Sequence, residues 1–317
     1  MKEQVFWKFI VDRLSARESV ILMIVVEYEK GSPGKTGFKM AVTLSETAGT
    51  VGGGIMEFNL LTAAREFIAS QQQVRIVKKL IHNMNTSAGE ASGLNCAGSQ
   101  TIGLLSLSTA DIDAVMNIRS SLHSNAPAHF SLDENGMSFH HGKRDLHNSF
   151  QSLAAGTWSY HENVGSEYSV YIIGGGHVGL ATAKVLQTLD FSITIFDERQ
   201  DAPAMNDDSL TLRRIVTPFE EIGRYIEESE KNFIAIVTSA MQSDRTALQS
   251  IIKKKLGYIG IMGTEAKIAR IVNSFSSEEK KVLAKIHAPI GIDIGSRSVE
   301  EIAVSIAAEM VKEKNIG

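Results

Sequence analysis

The chain holds one cysteine among its 317 residues, so it can form no internal disulfide and no all-cysteine metal cluster. That usage fits a reducing compartment. Long hydrophobic runs are missing too. The longest, VILMIVV at 20–26, falls well short of the roughly 18 residues of a membrane helix and reads as a buried strand. Glu3, Lys8, Asp12 and Arg13 interrupt any signal-peptide core, and the expectation is a cytoplasmic protein with no membrane partner. Basic residues are not in excess: 32 Lys and Arg against 36 Asp and Glu leave a net charge of −4. With no basic block, nucleic acid is not expected as a partner. The remainder, 43% hydrophobic, 21% charged and 7% aromatic, is ordinary globular composition and excludes collagen-like, disordered and disulfide-scaffold classes.

What is present is periodic. Val5, Phe6, Phe9, Ile10 and Leu14 recur at helical spacing over 2–17. A strand over 19–28 follows, then the turn-rich loop Gly31-Ser32-Pro33-Gly34 with Gly37 behind it, and a strand over 38–44. The glycine run Gly52-Gly53-Gly54 leads into a helix over 55–70. Strands are expected at 74–81 and 102–107, and Asp133-Glu134-Asn135-Gly136 reads as a hairpin turn, because Asn-Gly accepts positive φ. Residues 1–140 therefore read as a smaller mixed α/β domain, and the polar, aperiodic residues 141–168 as a linker. Over 169–317, strands at 170–173, 193–196, 214–216, 234–237 and 258–261 alternate with helices. That alternation indicates an α/β, Rossmann-like, doubly wound parallel sheet.

The sharpest motif is an apolar strand followed by Gly174-x-Gly176-x-x-Gly179 and a helix. The first glycine allows a tight turn, the second a close approach of backbone to phosphate, and the third close packing of helix on strand. The helix start, with His177 in it, offers free N–H groups to an anion. Asp197 closes the next strand, where an acid would accept hydrogen bonds from a ribose diol, with Arg199 beside it. A Rossmann-shaped domain without a dinucleotide fits the same residues. Gly260-Ile-Met-Gly263-Thr264-Glu265-Ala-Lys267 is a second strand end entering a helix; it reads as an anion cradle at Gly263 or as a plain capped helix start. The glycine-rich loop 287–296 places Asp293 before Ser298-Val-Glu-Glu301, a capping-box pattern that opens a helix over 299–313.

In the first half, Gly52, Gly53 and Gly54 form a candidate anion nest with Lys39 as its cation and Glu57 nearby, or else a tight bend after a hairpin. Cys96 sits in a glycine-flanked polar loop, Gly93-Leu-Asn-Cys96-Ala-Gly98. It reads as a thiolate, either a catalytic nucleophile or a soft ligand to a metal or sulfur-bearing group, or else as a buried small hydrophobe. The nine histidines show no zinc-like spacing with that cysteine, and neither a Gly-x-Ser-x-Gly elbow nor a Walker P-loop occurs.

Together the segments GSPGKTGFKM, GTVGGGIMEF, GLNCAG, IIGGGHVG, YIGIMGTEAK and HAPIGIDIGSRSVEEIAVSIAAEMV resemble the XdhC/CoxI family, accessory proteins of xanthine dehydrogenase and related molybdenum hydroxylases. The resemblance covers most of the chain, with no anchor in about 109–165. It implies a chaperone more than a turnover enzyme. Such a protein binds the molybdenum cofactor (molybdopterin), assists its sulfuration and insertion into the apo-hydroxylase, receives sulfur from a cysteine desulfurase, and works as a homodimer. The candidate residues would then be Cys96 at the metal end, Lys39 and Gly52–Gly54 at an anion, and Gly174, Gly176, Gly179 and Asp293 along a facing crevice. The sequence departs from the family at Cys96-Ala97-Gly98, where Cys-Gly-Gly is usual. It also departs at Thr238–Asp244, where the aspartate remains but two usual histidines do not. The competing reading is an NAD-dependent oxidoreductase using Gly174–Gly179 and Asp197, with His177 as the conceivable base.

Overall fold

A computed structural model describes residues 2–82, 98–124, 126–152, 157–189, 191–210 and 212–316. The chain divides between Gly165 and Ser166 into two compact units.

The amino-terminal unit runs α1 (Lys2–Ser15), β1 (Val20–Tyr28), β2 (Lys39–Val42), β3 (Thr47–Gly49), α2 (Gly54–Ala69), β4 (Arg75–Ile81), β5 (Ser99–Leu107), α3 (Ile112–Ser124), β6 (Ala128–Asp133), β7 (Gly136–His141), β8 (Asn148–Ser152) and β9 (Trp158–Asn163). It holds two antiparallel sheets, ordered β3-β2-β1-β5-β4 and β7-β6-β9-β8. The unbroken apolar run of β1 has a simple cause: the strand is central and both its faces are covered. Val20, Leu22, Ile24 and Val26 meet Trp7, Ile10 and Leu14 of α1, together with Phe130, Trp158 and Tyr160 of the second sheet. Ile21, Met23 and Val25 meet Met56, Leu60 and Ala64 of α2.

Residues 141–168 are not a linker. They supply β8 and β9, and they make the amino-terminal unit the larger of the two rather than the smaller. Phe150, Trp158 and Tyr160 alternate with polar residues, the pattern of a half-buried strand, and the polar outer residues hid that alternation. Trp158 and Tyr160 are buried in the core shared with α1.

The carboxyl-terminal unit runs β10 (Ser169–Ile173), α4 (His177–Leu186), β11 (Ser192–Asp197), β12 (Arg213–Val216), β13 (Ser229–Ile236), α5 (Met241–Ile251), β14 (Leu256–Ile261), α6 (Glu265–Asn273), α7 (Ser277–Leu283) and α8 (Val299–Ile316). Its five strands are parallel in the order β12-β11-β10-β13-β14. One face is closed by α4 and α8, through Ala183, Leu186, Ile306 and Met310, and the other by α5 and α6, through Leu248, Ile251 and Ile271. The expected doubly wound Rossmann sheet is thus present. The strand order reverses between β10 and β13, the place where such sheets open a crevice at their carboxyl ends. Among the described residues, no helix is long and apolar enough to cross a membrane.

Candidate functional site

The crevice is built from the glycine loop outward. Gly174 takes φ +111°, and a Cβ on it would lie 3.0 Å from the backbone of Val237 and Thr238, so a side chain here would press on the loop after β13. Gly179 is more demanding: a Cβ there would fall 1.9 Å from the Gly174 carbonyl oxygen, which only glycine avoids. Gly176 is the N-cap of α4, in ordinary extended backbone, with nothing within 4 Å of where a Cβ would point and no side chain capping the helix. No side chain caps the first-turn amides of α4, and a helix start left uncapped attracts an anion. His177 opens this helix, exposed. It lines an open groove with Leu180, Ala181, Lys184, Val185, Val299 and Glu300, which brings the starts of α4 and α8 together.

Asp197 does not offer a carboxylate to a ribose. It is 2% exposed. Its Oδ2 accepts from the Gly175 amide at 2.7 Å and from Arg199 Nη2 at 3.2 Å; its Oδ1 accepts from the Arg199 amide at 2.9 Å and from Arg199 Nε at 3.0 Å. Burial pushes this carboxyl up, but the hydrogen bonds from Arg199 and Gly175 outweigh it and hold the group below its usual range. The acid orders the glycine loop, and Arg199 stands 60% exposed above it.

Across the crevice, Asp244 in the first turn of α5 is fully buried. It accepts from Thr238 Oγ1 at 2.5 Å and pairs with Lys267 of α6. Lys267 also donates to the Met262 carbonyl at 3.2 Å, and its stem lies over Gly263, so Gly263 is a bed for a lysine rather than an open cradle. Thr264 caps α6 as expected, accepting from the Lys267 amide at 3.3 Å. Asp293 is exposed and accepts from the Gly295 amide at 3.1 Å, with Ile292 and Ile294 exposed on either side. Sequence reading missed Glu309 of α8, which accepts from Tyr258 Oη at 2.6 Å and the Gly291 amide at 2.7 Å and lies 3.1 Å from His287 Nδ1. It anchors the loop that carries Asp293.

The glycine nest of the amino-terminal unit exists, but the protein fills it. Gly52, Gly53 and Gly54 all have positive φ. Glu57 Oε2 accepts from Thr50 Oγ1 at 2.6 Å, the Val51 amide at 2.8 Å and the Gly53 amide at 3.0 Å. Burial raises the Glu57 carboxyl, and these hydrogen bonds more than reverse that. Glu57 is thus the nest's own anion. Lys39 is not its cation. The Lys39 side chain, 8% exposed, gives Nζ to Glu162 at 2.5 Å, Glu3 at 2.9 Å and the Gly37 carbonyl at 3.0 Å. Gln100 was also overlooked. Buried in β5, it takes the Gly34 amide on Oε1 at 3.2 Å and donates to the Val51 carbonyl at 2.9 Å, joining the two glycine loops. Cys96 lies outside the described residues, among which no group of histidines, cysteines and acids is spaced to hold a metal ion.

The family described as "XdhC Rossmann domain" matches residues 170–310, and the one described as "XdhC and CoxI family" matches residues 13–78. The chain belongs to the XdhC/CoxI family. The first match covers β10 through α8 with the whole crevice; the second covers β1 and the glycine nest. Uncharacterized protein YqeB of Escherichia coli (strain K12) is 29% identical over 151 residues, 45% of this chain and 27% of that protein. A probable xanthine dehydrogenase subunit of Bacillus subtilis (strain 168) is 26% identical over 144 residues, 44% of this chain and 41% of that protein. The chain thus matches less than half the length of these curated relatives. A crystal structure named as a xanthine dehydrogenase from Bacillus halodurans shares the fold, with a TM-score of 0.69 over 98% of this chain and 96% of that one, at 17% identity.

Proposed function

We propose that this chain is an accessory protein of a xanthine dehydrogenase-type molybdenum hydroxylase, holding the molybdenum cofactor and assisting its sulfuration and insertion. Membership of the XdhC/CoxI family, with the family's Rossmann domain spanning the crevice, carries this reading. The cofactor is a pterin with a phosphate and a dithiolene that holds the metal. Its phosphate suits the start of α4, where Gly176 leaves open space and no side chain caps the helix. Asp293, exposed on its anchored loop, suits pterin N–H donors. Cys96, by the chemistry of a thiolate alone, is the candidate for handling sulfur. When bound, the cofactor supplies the redox and sulfur chemistry of its client. This chain's residues bind and orient it.

Asp197 has both oxygens engaged within the protein, which counts against an NAD-dependent oxidoreductase that would need this acid for a ribose. The partners in this reading are the apo-hydroxylase and a cysteine desulfurase, with the chain working as a homodimer in the cytoplasm. The test is a pull-down of the tagged full chain against a xanthine dehydrogenase-type apo-hydroxylase and a cysteine desulfurase, with and without molybdopterin. The reading expects capture of the hydroxylase, and activation of it that Cys96→Ala abolishes. Absence of capture, or activation by Cys96→Ala equal to that of the natural chain, contradicts it.

A further inference from the structure

The outer face of the second sheet carries an arrangement independent of that reading. Along β6 and β9 alternate residues enter the core, Phe130, Leu132, Trp158 and Tyr160 among them, while His129, Ser131 and His161 face out with His140 of β7. His129 is the direct cross-strand partner of His140, and their rings stack at 4.6 Å with 16° between planes. His161 stands opposite Ser131, its ring 6.1 Å from that of His129. The exposed Arg144 brings Nη1 to 3.4 Å from His161 Nδ1.

The partners fix the proton positions. A guanidinium only donates, so His161 Nδ1 accepts and carries no proton. The Gly142 carbonyl, 2.9 Å from His129 Nδ1, only accepts, so that nitrogen donates and Nε2 of the neutral ring is left as an acceptor. His140 Nε2 pairs with Ser131 Oγ at 2.9 Å. Besides the rings themselves, the charged groups that act on His140 and His161 are Arg144 and, on His161, Asp133, whose carboxylate already accepts from its own turn, at 2.7 Å from the Asn135 amide and 3.0 Å from the Gly136 amide. Burial first, then repulsion from His129 and Arg144, pushes His140 below its ordinary value; burial, then Arg144 and the neighbouring rings, does the same to His161. Burial, with like-charge repulsion second to it, thus keeps protons off His140 and His161, and a dianion beside them would offset the repulsion. A cation is disfavoured by Arg144 and by the stacked pair.

We infer that this face binds a tetrahedral oxyanion of the phosphate or sulfate class, held by Arg144, His140 and His161, with uptake of protons onto these two rings. The experiment follows the histidine ring signals of the labelled full chain by NMR from pH 5 to 8, in sulfate, in inorganic phosphate and in chloride of equal ionic strength. Sulfate and phosphate are expected to raise the midpoints of His140 and His161 by about one pH unit, saturably. Arg144→Gln and His161→Gln are each expected to abolish the shift at the remaining rings. His141→Gln, whose ring meets Phe139 edge-on, is expected to preserve it. Unchanged tryptophan emission certifies the fold of each variant. An equal shift in chloride, no shift in sulfate, or a full shift in Arg144→Gln overturns the inference.

Discussion

Lys39→Ala is expected to destabilise the amino-terminal unit by about 3–5 kcal/mol, the usual consequence of stripping one partner from a buried ion pair. Glu162, with its side chain 4% exposed, would keep only the Tyr160 hydroxyl, which donates to it at 2.6 Å. The loss would reach further than one contact, because Lys39 joins β2 to α1 through Glu3 and to β9 through Glu162. Burial already pushes the Glu162 carboxyl up with Lys39 in place, and without that neighbour the folded chain binds the proton more tightly still. A folded state that binds more protons than the unfolded one is favoured at low pH. The variant's stability should therefore be greatest below the unfolded glutamate value of about 4.3 and decline as pH rises through the folded value. Adding Glu162→Gln should recover part of the loss, since it removes the stranded charge. Urea unfolding followed by tryptophan fluorescence reads this unit alone, because both tryptophans, Trp7 and Trp158, lie in its core. A loss below about 1 kcal/mol, the range of exposed pairs, would show the network to be solvated.

Gly179→Ala is expected to cost about 3 kcal/mol or more, at the upper end for overpacked sites. The added methyl would sit 1.9 Å from the Gly174 carbonyl oxygen, and backbone cannot yield as a flexible side chain can. Either α4 lifts from β10, opening the core around Ala183 and Leu186, or the glycine loop leaves its turn. Gly176→Ala, with nothing within 4 Å of the new atom, is the matched control and should cost no more than about 1 kcal/mol, the loss of a glycine N-cap. Calorimetric unfolding of the two variants would compare them directly. A Gly179→Ala transition no lower than that of Gly176→Ala would mean that helix and strand are looser than described.

The contrast between these glycines shows what the sequence could convey. Gly174, Gly176 and Gly179 announced a strand-turn-helix because backbone sterics are local, and the same holds for the buried run of β1 and for the capping box, where Ser298 Oγ accepts from the Glu301 amide at 3.2 Å. Side-chain partnership across long sequence gaps was not legible. Lys39 and Glu162 lie 123 residues apart, and nothing near Lys39 indicates that its charge is already matched. Asp197 stands where a ribose acid belongs, yet the Gly175 amide and Arg199 claim it first. Glu57 was correctly placed beside the glycine run, but its role reversed: it is the anion in the nest, not a neighbour of one. The strands β8 and β9 escaped because a sheet with one polar face resembles a polar connector until its partner strands are known.

The most direct test of the account is pterin retention by Gly176→Asp. Gly176 already has extended N-cap geometry and open space for a side chain, so aspartate should leave stability unchanged or raise it by about a few tenths of a kcal/mol. The same carboxylate would occupy the first-turn amides of α4 and repel a phosphate. Both proteins would be purified from a host that makes molybdopterin, oxidised, and assayed for pterin fluorescence. The account predicts pterin with the natural chain and none with a fully folded Gly176→Asp. Equal pterin in both, or none in either, would contradict it.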